Sequence, residues 1–219
     1  FNLSLKLIKN NNVHALINGP ISKKHFLKKK FPGITEYIAK KTNTKEPVML
    51  IFNNNLAVSP LSTHVPLKHA SKFVKKQKII NNAFKIAKFY KSKLGKNPKI
   101  GILGLNPHCE TIDKVSEEKQ EIYPAIKYLQ KKKVKAEGPF SADTFFLKKN
   151  IINFDVVIGM YHDQVLTPAK TLFKFEAINI TLGLPFMKVT PDHGPNYEMI
   201  GKNKSDASSI FFALDFLNK

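Results

Sequence analysis

The sequence predicts an α/β protein with a largely parallel or mixed sheet. Three observations carry that expectation. Short apolar runs rich in β-branched residues are separated by longer amphipathic stretches. Strand and helix signals alternate along the chain instead of falling in blocks. Serines stand where several helices should begin.

In chain order, the strands are expected at 13–18, 48–52, 56–59, 100–105, 156–160 and 178–182. The helices are expected at 22–30, 35–42, 71–94, 117–132, 142–149 and 206–217. In the third helix, Ile80, Ala83, Phe84, Ala87, Tyr90 and Leu94 share a face at helical spacing, which reads as core packing. Ser116 precedes Glu117 and Glu118, which suit the positive end of a helix. Ser141 and Ser205 stand in the same position before the last two helices of that order. No internal repeat is evident, and no Pro/Gly/Ser linker divides the chain.

Composition narrows the function classes. No apolar run approaches the roughly 20 residues of a membrane span, so no membrane role is expected. No signal peptide is visible at the start. The chain opens on Phe1 with strand signal close behind, so a preceding segment is expected. A lone cysteine, Cys109, excludes an internal disulfide and fits a cytoplasmic setting. The net charge of +20 invites a nucleic-acid reading, but every one of the 36 basic residues is lysine. Arginine supplies the bidentate contacts that nucleic-acid readers favour, and the lysines form no stripe. The absence of Arg and Trp, with abundant Asn, Ile and Phe, looks like codon drift toward A and T. No nucleic-acid partner is expected; an anionic small substrate is compatible with the charge.

Three of the seven histidines share a setting. His64, His108 and His162 each follow a predicted strand, in LSTHVPL, GLNPHCE and MYHDQ. Ligands of α/β sheets bind beyond the carboxyl ends of strands, so these imidazoles could converge on one metal ion. Three neutral imidazoles with an open position make a catalytic site. The competing reading is three unrelated loop histidines, since their spacing forms no local metal motif. Asp163 is either a partner to His162 or a surface carboxylate. His14, His25 and His69 read as structural or solvated. Two turns suit anions: residues 18–23 (NGPISK) and 138–143 (GPFSAD), each leading into a helix. Neither a GxGxxG fingerprint nor a Walker loop is present.

Taken together, NGPISK, GITEY, LSTHVPL, GLNPH, GPFSADT, MYHDQ, NITLGLPF and DHG stand in one order from Val13 to the last helix. In this the chain resembles the 4-hydroxythreonine-4-phosphate dehydrogenase family. The resemblance implies an isocitrate/isopropylmalate dehydrogenase-like α/β fold: two α/β domains with a cleft, the first only partly present. Residues 1–28 and 191–219 would be the remnant of the first domain and 29–190 the second. It implies a homodimer whose active site is shared between subunits.

By the same resemblance, His64, His108 and His162 are the metal ligands, one of them from the neighbouring subunit. Thr35, Lys170, Asn179 and Lys188 would contact substrate, and Asp143 would be an active-site carboxylate. Lys170 and Asp143 are the candidates for the general base, Lys170 only if its pKa is depressed. The cofactor would be NAD, with NADP open, and no residue is assigned to it. The metal would be zinc first, with cobalt or magnesium as alternatives. The implied reaction oxidises the C3 hydroxyl of 4-phosphooxy-L-threonine and releases carbon dioxide to give 3-amino-2-oxopropyl phosphate, in vitamin B6 (pyridoxal phosphate) synthesis.

Three departures from the family pattern bear on this. Ile34 stands where the family has a substrate-contacting histidine. Lys188 stands for an arginine, keeping the charge but not the planar fork. Cys109-Glu110-Thr111 replaces a glycine-rich loop. Two rivals therefore stay open: a sister dehydrogenase of another phosphorylated four-carbon hydroxy acid, and a three-histidine zinc hydrolase. The hydrolase would never generate NADH absorbance.

Overall fold

The computed structural model describes residues 1–10, 13–22, 26–27, 30–31, 33–112, 115–174, 176–194 and 197–218. The expected helix at 22–30, with His25, Lys23 and Lys24, lies largely outside the described residues. The chain forms two compact units, Asn54–Leu172 and Phe1–Asn53 with Phe173–Lys219. These boundaries differ from the 28/29 and 190/191 division drawn from sequence. The strand pairings within the second of these units tie residues 48–52 and 178–191 to the first strand of the chain.

Within Asn54–Leu172 the strands are β3 (Ala57–Pro60), β4 (Ile100–Leu103), β5 (Ala136–Phe140) and β6 (Val156–Gly159). They are ordered β3-β6-β4-β5 and all pair in parallel. Every residue of β3, β4 and β6 is buried. That is why β4 and β6 read as unbroken apolar runs, since a parallel strand is covered on both faces, while β3 also buries the Ser59 hydroxyl. Within the other unit, β1 (Ala15–Ile17), β8 (Met187–Pro191), β7 (Ile178–Leu182) and β2 (Val48–Phe52) lie in that order. β1 runs parallel to β8, while β7 is antiparallel to both β8 and β2.

The sequence missed β5 and β8. Gly138 and Pro139 lie inside β5, and a strand carrying proline is confined to a sheet edge, where β5 stands in this unit. A side chain at Gly138 (φ +136°) would run into the Ile102 carbonyl oxygen, so the close strand approach depends on glycine. β8 carries a buried lysine and a terminal proline, which broke the apolar pattern.

The long helix is Lys76–Leu94, preceded by a 3₁₀ stretch, Leu67–Phe73, instead of starting at 71. Its buried face holds Ile79, Ile80, Ala83, Ile86, Phe89 and Tyr90. Phe84, which the sequence placed on the core stripe, is exposed, because the buried face is rotated toward Ile79 and Ile86. The Tyr90 hydroxyl donates to the Asp155 carbonyl (3.1 Å), and the Asp155 carboxylate accepts from Lys96 Nζ (2.6 Å) and the Lys99 amide (2.8 Å). These bonds fix the end of the helix to the start of β6.

Helix 117–132 resolves into a π-turn, Glu118–Ile122, running into Tyr123–Lys131, and Ser116 Oγ accepts from the Lys119 amide (3.3 Å) as the sequence expected. The other two expected caps fail. Ser141 Oγ donates to Asp143 Oδ1 instead (2.6 Å). The last helix, Ser208–Leu217, is entered by Asp206, whose carboxylate accepts from the Ser208 amide (2.8 Å). The expected 142–149 helix is two short pieces, Ala142–Phe145 and Lys148–Ile151.

Phe145 packs at 5.4 Å from Phe140 and 5.2 Å from Phe154, over Gly101 of β4. A Cβ at Gly101 would lie 2.8 Å from the Phe145 ring. Gly101→Ala should therefore lower stability by roughly 1–3 kcal/mol in urea unfolding. Adding Phe145→Leu should recover part of the loss; a double variant no better than the single one would place the strain elsewhere.

Candidate active site

The three histidines all leave the carboxyl ends of adjacent parallel strands. His64 follows β3, His162 follows β6 and opens the helix His162–Phe173, and His108 follows β4 in a single turn, Pro107–Cys109. The His64 and His162 rings stand 6.1 Å apart, centroid to centroid. An ion bound at about 2.0–2.1 Å by one nitrogen of each ring would hold the centroids roughly 5–6.5 Å apart, so this pair fits a shared cation. Asp163 Oδ1 lies 2.6 Å from His162 Nδ1, a contact that leaves Nε2 as the nitrogen that could take a cation.

His108 is not drawn into this pair. Its backbone is left-handed (φ +55°), its side chain is 74% exposed, and Nδ1 lies 3.7 Å from Asp143 Oδ2. That is a loose ion pair, too long for a hydrogen bond. Among the described residues no three His, Cys, Asp or Glu side chains surround one point. The Asp143 carboxyl is held below its ordinary pKa, first by the Ser141 hydroxyl, which outweighs desolvation, and then by His108 and nearby amides.

A residue that sequence reasoning treated only as a dipole partner builds the His108 turn. Glu118 is buried, and its Oε1 accepts from the Leu105 and Asn106 amides, both at 2.8 Å. Oε2 accepts from Asn106 Nδ2, also at 2.8 Å. Burial alone would raise its pKa, but these donors outweigh it and the carboxyl titrates below the usual range.

The other candidates lie in the second unit, except Lys170, which sits half-buried on the helix His162–Phe173. Thr35 is 8% exposed in the first turn of the helix Ile34–Lys41. Asn179 is on β7 opposite Thr190 of β8. Continuing that register sets Thr181 against Lys188. Lys188 is 1% exposed, and Thr181 2%. Asn179 Oδ1 and Thr181 Oγ1 are buried with no hydrogen-bond partner among the described residues. Burial lowers the Lys188 pKa to about 8, against a pull upward from Glu36. The unit thus holds a buried ammonium on β8 and, on the paired strand β7, two buried oxygen atoms without a hydrogen-bond partner among the described residues.

Comparison with known proteins places this arrangement. The family profile of pyridoxal phosphate biosynthetic protein PdxA matches residues 1–217. A 4-hydroxythreonine-4-phosphate dehydrogenase of a Sulfurihydrogenibium species is 42% identical over 92% of the chain and 63% of its own length. An Oceanobacillus iheyensis protein, provisionally named a D-threonate 4-phosphate dehydrogenase, is 35% identical over 97% of the chain and 65% of its own length. The chain thus spans just under two thirds of these relatives. The crystal structure of the Klebsiella pneumoniae 4-hydroxythreonine-4-phosphate dehydrogenase superposes with a TM-score of 0.81 at 29% identity, over 98% of this chain and 68% of that one. A β-decarboxylating dehydrogenase of Thermococcus kodakarensis shares the fold alone, at a TM-score of 0.59 and 14% identity, over 98% of this chain and 68% of that one.

The Lys188 shift has a signed consequence. Between about pH 8 and 10.5 the unfolded chain keeps a proton that folded Lys188 has released, so stability rises with pH through that window. The contribution is on the order of 3 kcal/mol at 1.36 kcal/mol per unit. Denaturant titrations at pH 7.5 and 10.5 should show this rise in the unaltered protein and lose it in Lys188→Met. Equal pH slopes in the two would mean that Lys188 titrates as a solvated lysine.

Proposed function

Because the chain belongs to the PdxA family of pyridoxal phosphate biosynthetic proteins, we propose that its protein is a metal-dependent, nicotinamide-linked dehydrogenase. The substrate is 4-phosphooxy-L-threonine, oxidised at C3 and decarboxylated to 3-amino-2-oxopropyl phosphate, with NAD as hydride acceptor. Beyond family membership, the observation that carries this reading is the His64–His162 ring pair at 6.1 Å, set after parallel strands.

In this reading His64 and His162 hold a divalent cation, zinc by the softness of its ligands, and His108 of a second copy of the chain completes the set. The turn that leaves His108 exposed and away from its own pair supports such a contribution in a homodimer. When bound, the cation polarises the substrate hydroxyl and stabilises negative charge on oxygen. Asp163 orients His162, and Asp143 lies where it would orient His108. The low pKa of Asp143 suits a carboxylate that stays ionised better than a base working near neutrality. Lys170 is the other candidate for the general base, on the condition that its pKa is depressed when substrate and cation are bound. Lys188, Thr35 and Asn179 take the anionic and hydroxyl groups of the substrate; the buried, unpaired Asn179 oxygen supports a role as acceptor. No helix among the described residues is long and apolar enough to cross a membrane, and a cytoplasmic location suits the phosphorylated substrate.

A second reading, oxidation of a threonate 4-phosphate, is favoured by Ile34 in place of the family's histidine. The full-length protein with added zinc or cobalt, NAD and each phosphorylated acid separates the two by NADH absorbance. His162→Ala should lower kcat/KM at least about a hundredfold, while activity retained in that variant would remove the metal role.

Ile34→His restores a group able to donate a charge-assisted hydrogen bond, worth about 1.5–3 kcal/mol, or roughly tenfold to a hundredfold in affinity. KM for 4-phosphooxy-L-threonine should fall accordingly. Faster turnover of a threonate phosphate by the unaltered protein, with a loss in Ile34→His, would establish the second reading.

A further inference from the structure

Two of the three histidine-bearing loops are tied to each other by one carboxamide, and a serine ties the third to the same segment. Gln164 Oε1 accepts from the Met160 amide (2.7 Å), and Gln164 Nε2 donates to the Gly104 carbonyl (2.8 Å). The first bond closes the turn between β6 and His162. The second crosses to the loop after β4 that leads to His108. The other side of the same peptide chain segment is held by Ser62, whose Oγ donates to the Met160 carbonyl (3.0 Å), two residues before His64. Met160 and Gln164 thus stand between the loop of His64 and the loop of His108.

The close approach is built into the backbone. A Cβ at Gly159 would meet Gln164 Oε1 at 3.0 Å and run into the Val165 side chain. A Cβ at Gly104 would meet Cys109 Sγ at 2.6 Å and Glu118 Oε1 at 3.3 Å. Gly159 keeps open the space beside the Gln164 carboxamide, and Gly104 the space beside Cys109 and Glu118 in the loop that the tie reaches. The tie also demands a residue with one donor and one acceptor at the end of a three-carbon reach. Glutamate keeps the acceptor for Met160 but sets an oxygen against the Gly104 carbonyl; methionine supplies neither bond.

We propose that Gln164 is a positioning residue, which fixes the register of the His162 and His108 loops, with Ser62 tying the His64 loop to the same segment, and so sets the affinity of the protein for a divalent cation. The proposal rests on the reading that these histidines bind one. It does not require Gln164 to touch metal or substrate.

The test uses the full-length protein and Co²⁺ as the probe. Affinity is read by competition with a chromophoric chelator, and the thermal midpoint of the metal-free protein is read alongside. Gln164→Glu and Gln164→Met should each weaken Co²⁺ binding by about tenfold, the size typical of outer-sphere changes at metal sites. The metal-free midpoint should fall by a few degrees, because each lost bond leaves a buried peptide group unpaired, and excess metal should restore kcat at a temperature where both proteins are folded. Gln77→Glu, an exposed carboxamide of the long helix bonded to Asn81, should leave affinity unchanged. Should Gln164→Met not fold, Gln164→Glu and Ser62→Ala carry the same comparison. If the Gln164 variants bind Co²⁺ as tightly as the unaltered protein, the positioning role is wrong while the metal reading stands. If His162→Ala binds Co²⁺ as tightly as the unaltered protein, the metal reading itself falls and this inference with it.

Discussion

Where β3, β4 and β6 end, their backbone leaves the sheet while still in the interior, and its amides and carbonyls lose their ladder partners. A buried peptide group without a partner costs as much as a lost hydrogen bond, so each must be satisfied by something else. In this protein that constraint determines the candidate metal site. The Leu105 and Asn106 amides bond to the buried Glu118 carboxylate. The Met160 peptide bonds to Ser62 on one side and Gln164 on the other. The groups that satisfy the loop backbones lie in the same segments as the three histidines. Glu118 can remain charged while buried because three donors face it, and the same bonds keep the β4 loop compact enough to need glycine at 104.

The other unit meets a harder version of the same problem, because its buried group is a full charge. An ammonium taken from water costs several kcal/mol, and Glu36 offsets part of this. Arginine at that position would have no way out, since it does not lose its proton in proteins. Lysine does, and a pKa near 8 leaves it roughly ten to one protonated at neutral pH. A lysine at this position therefore keeps a mostly protonated cation in the interior at a smaller cost to the fold than an arginine would carry. Its shorter, unforked head reaches less far, which fits its near-complete burial.

What the sequence made legible follows from how far each signal reaches along the chain. β2, β4 and β6 could be seen because burial on both faces writes a continuous apolar run, β7 because Ile178, Ile180 and Leu182 alternate with Asn179 and Thr181, and β3 from the short apolar run Leu56, Ala57 and Val58. β5 and β8 could not, because Gly138, Pro139, Lys188 and Pro191 are tolerated by an edge or by a buried polar site and erase the pattern. The placement of His64, His108 and His162 after strands was legible for the same reason as the strands. The left-handed turn that sends His108 toward Asp143 was not, since nothing in PHC fixes the sign of φ. Ser116 caps as expected, but Ser141 has an acidic neighbour at 143 that takes its hydroxyl, a competition that a cap rule does not weigh.

The ties that matter most to the site were the least visible. Ser62 and Met160 are 98 residues apart, and Gln164 and Gly104 are 60 apart. Neither residue of such a pair is unusual in its own segment: a serine in a loop and a glutamine in a helix each have an ordinary solvated reading. Their importance appears only when the parallel order β3-β6-β4 brings three loops side by side. In that arrangement β6 is central, so its loop must bond to both neighbours, and a residue with both a donor and an acceptor is the economical way to do it. The chemistry of His162 and the geometry of Gln164 are two demands on one short segment, met on opposite sides of a single turn of helix.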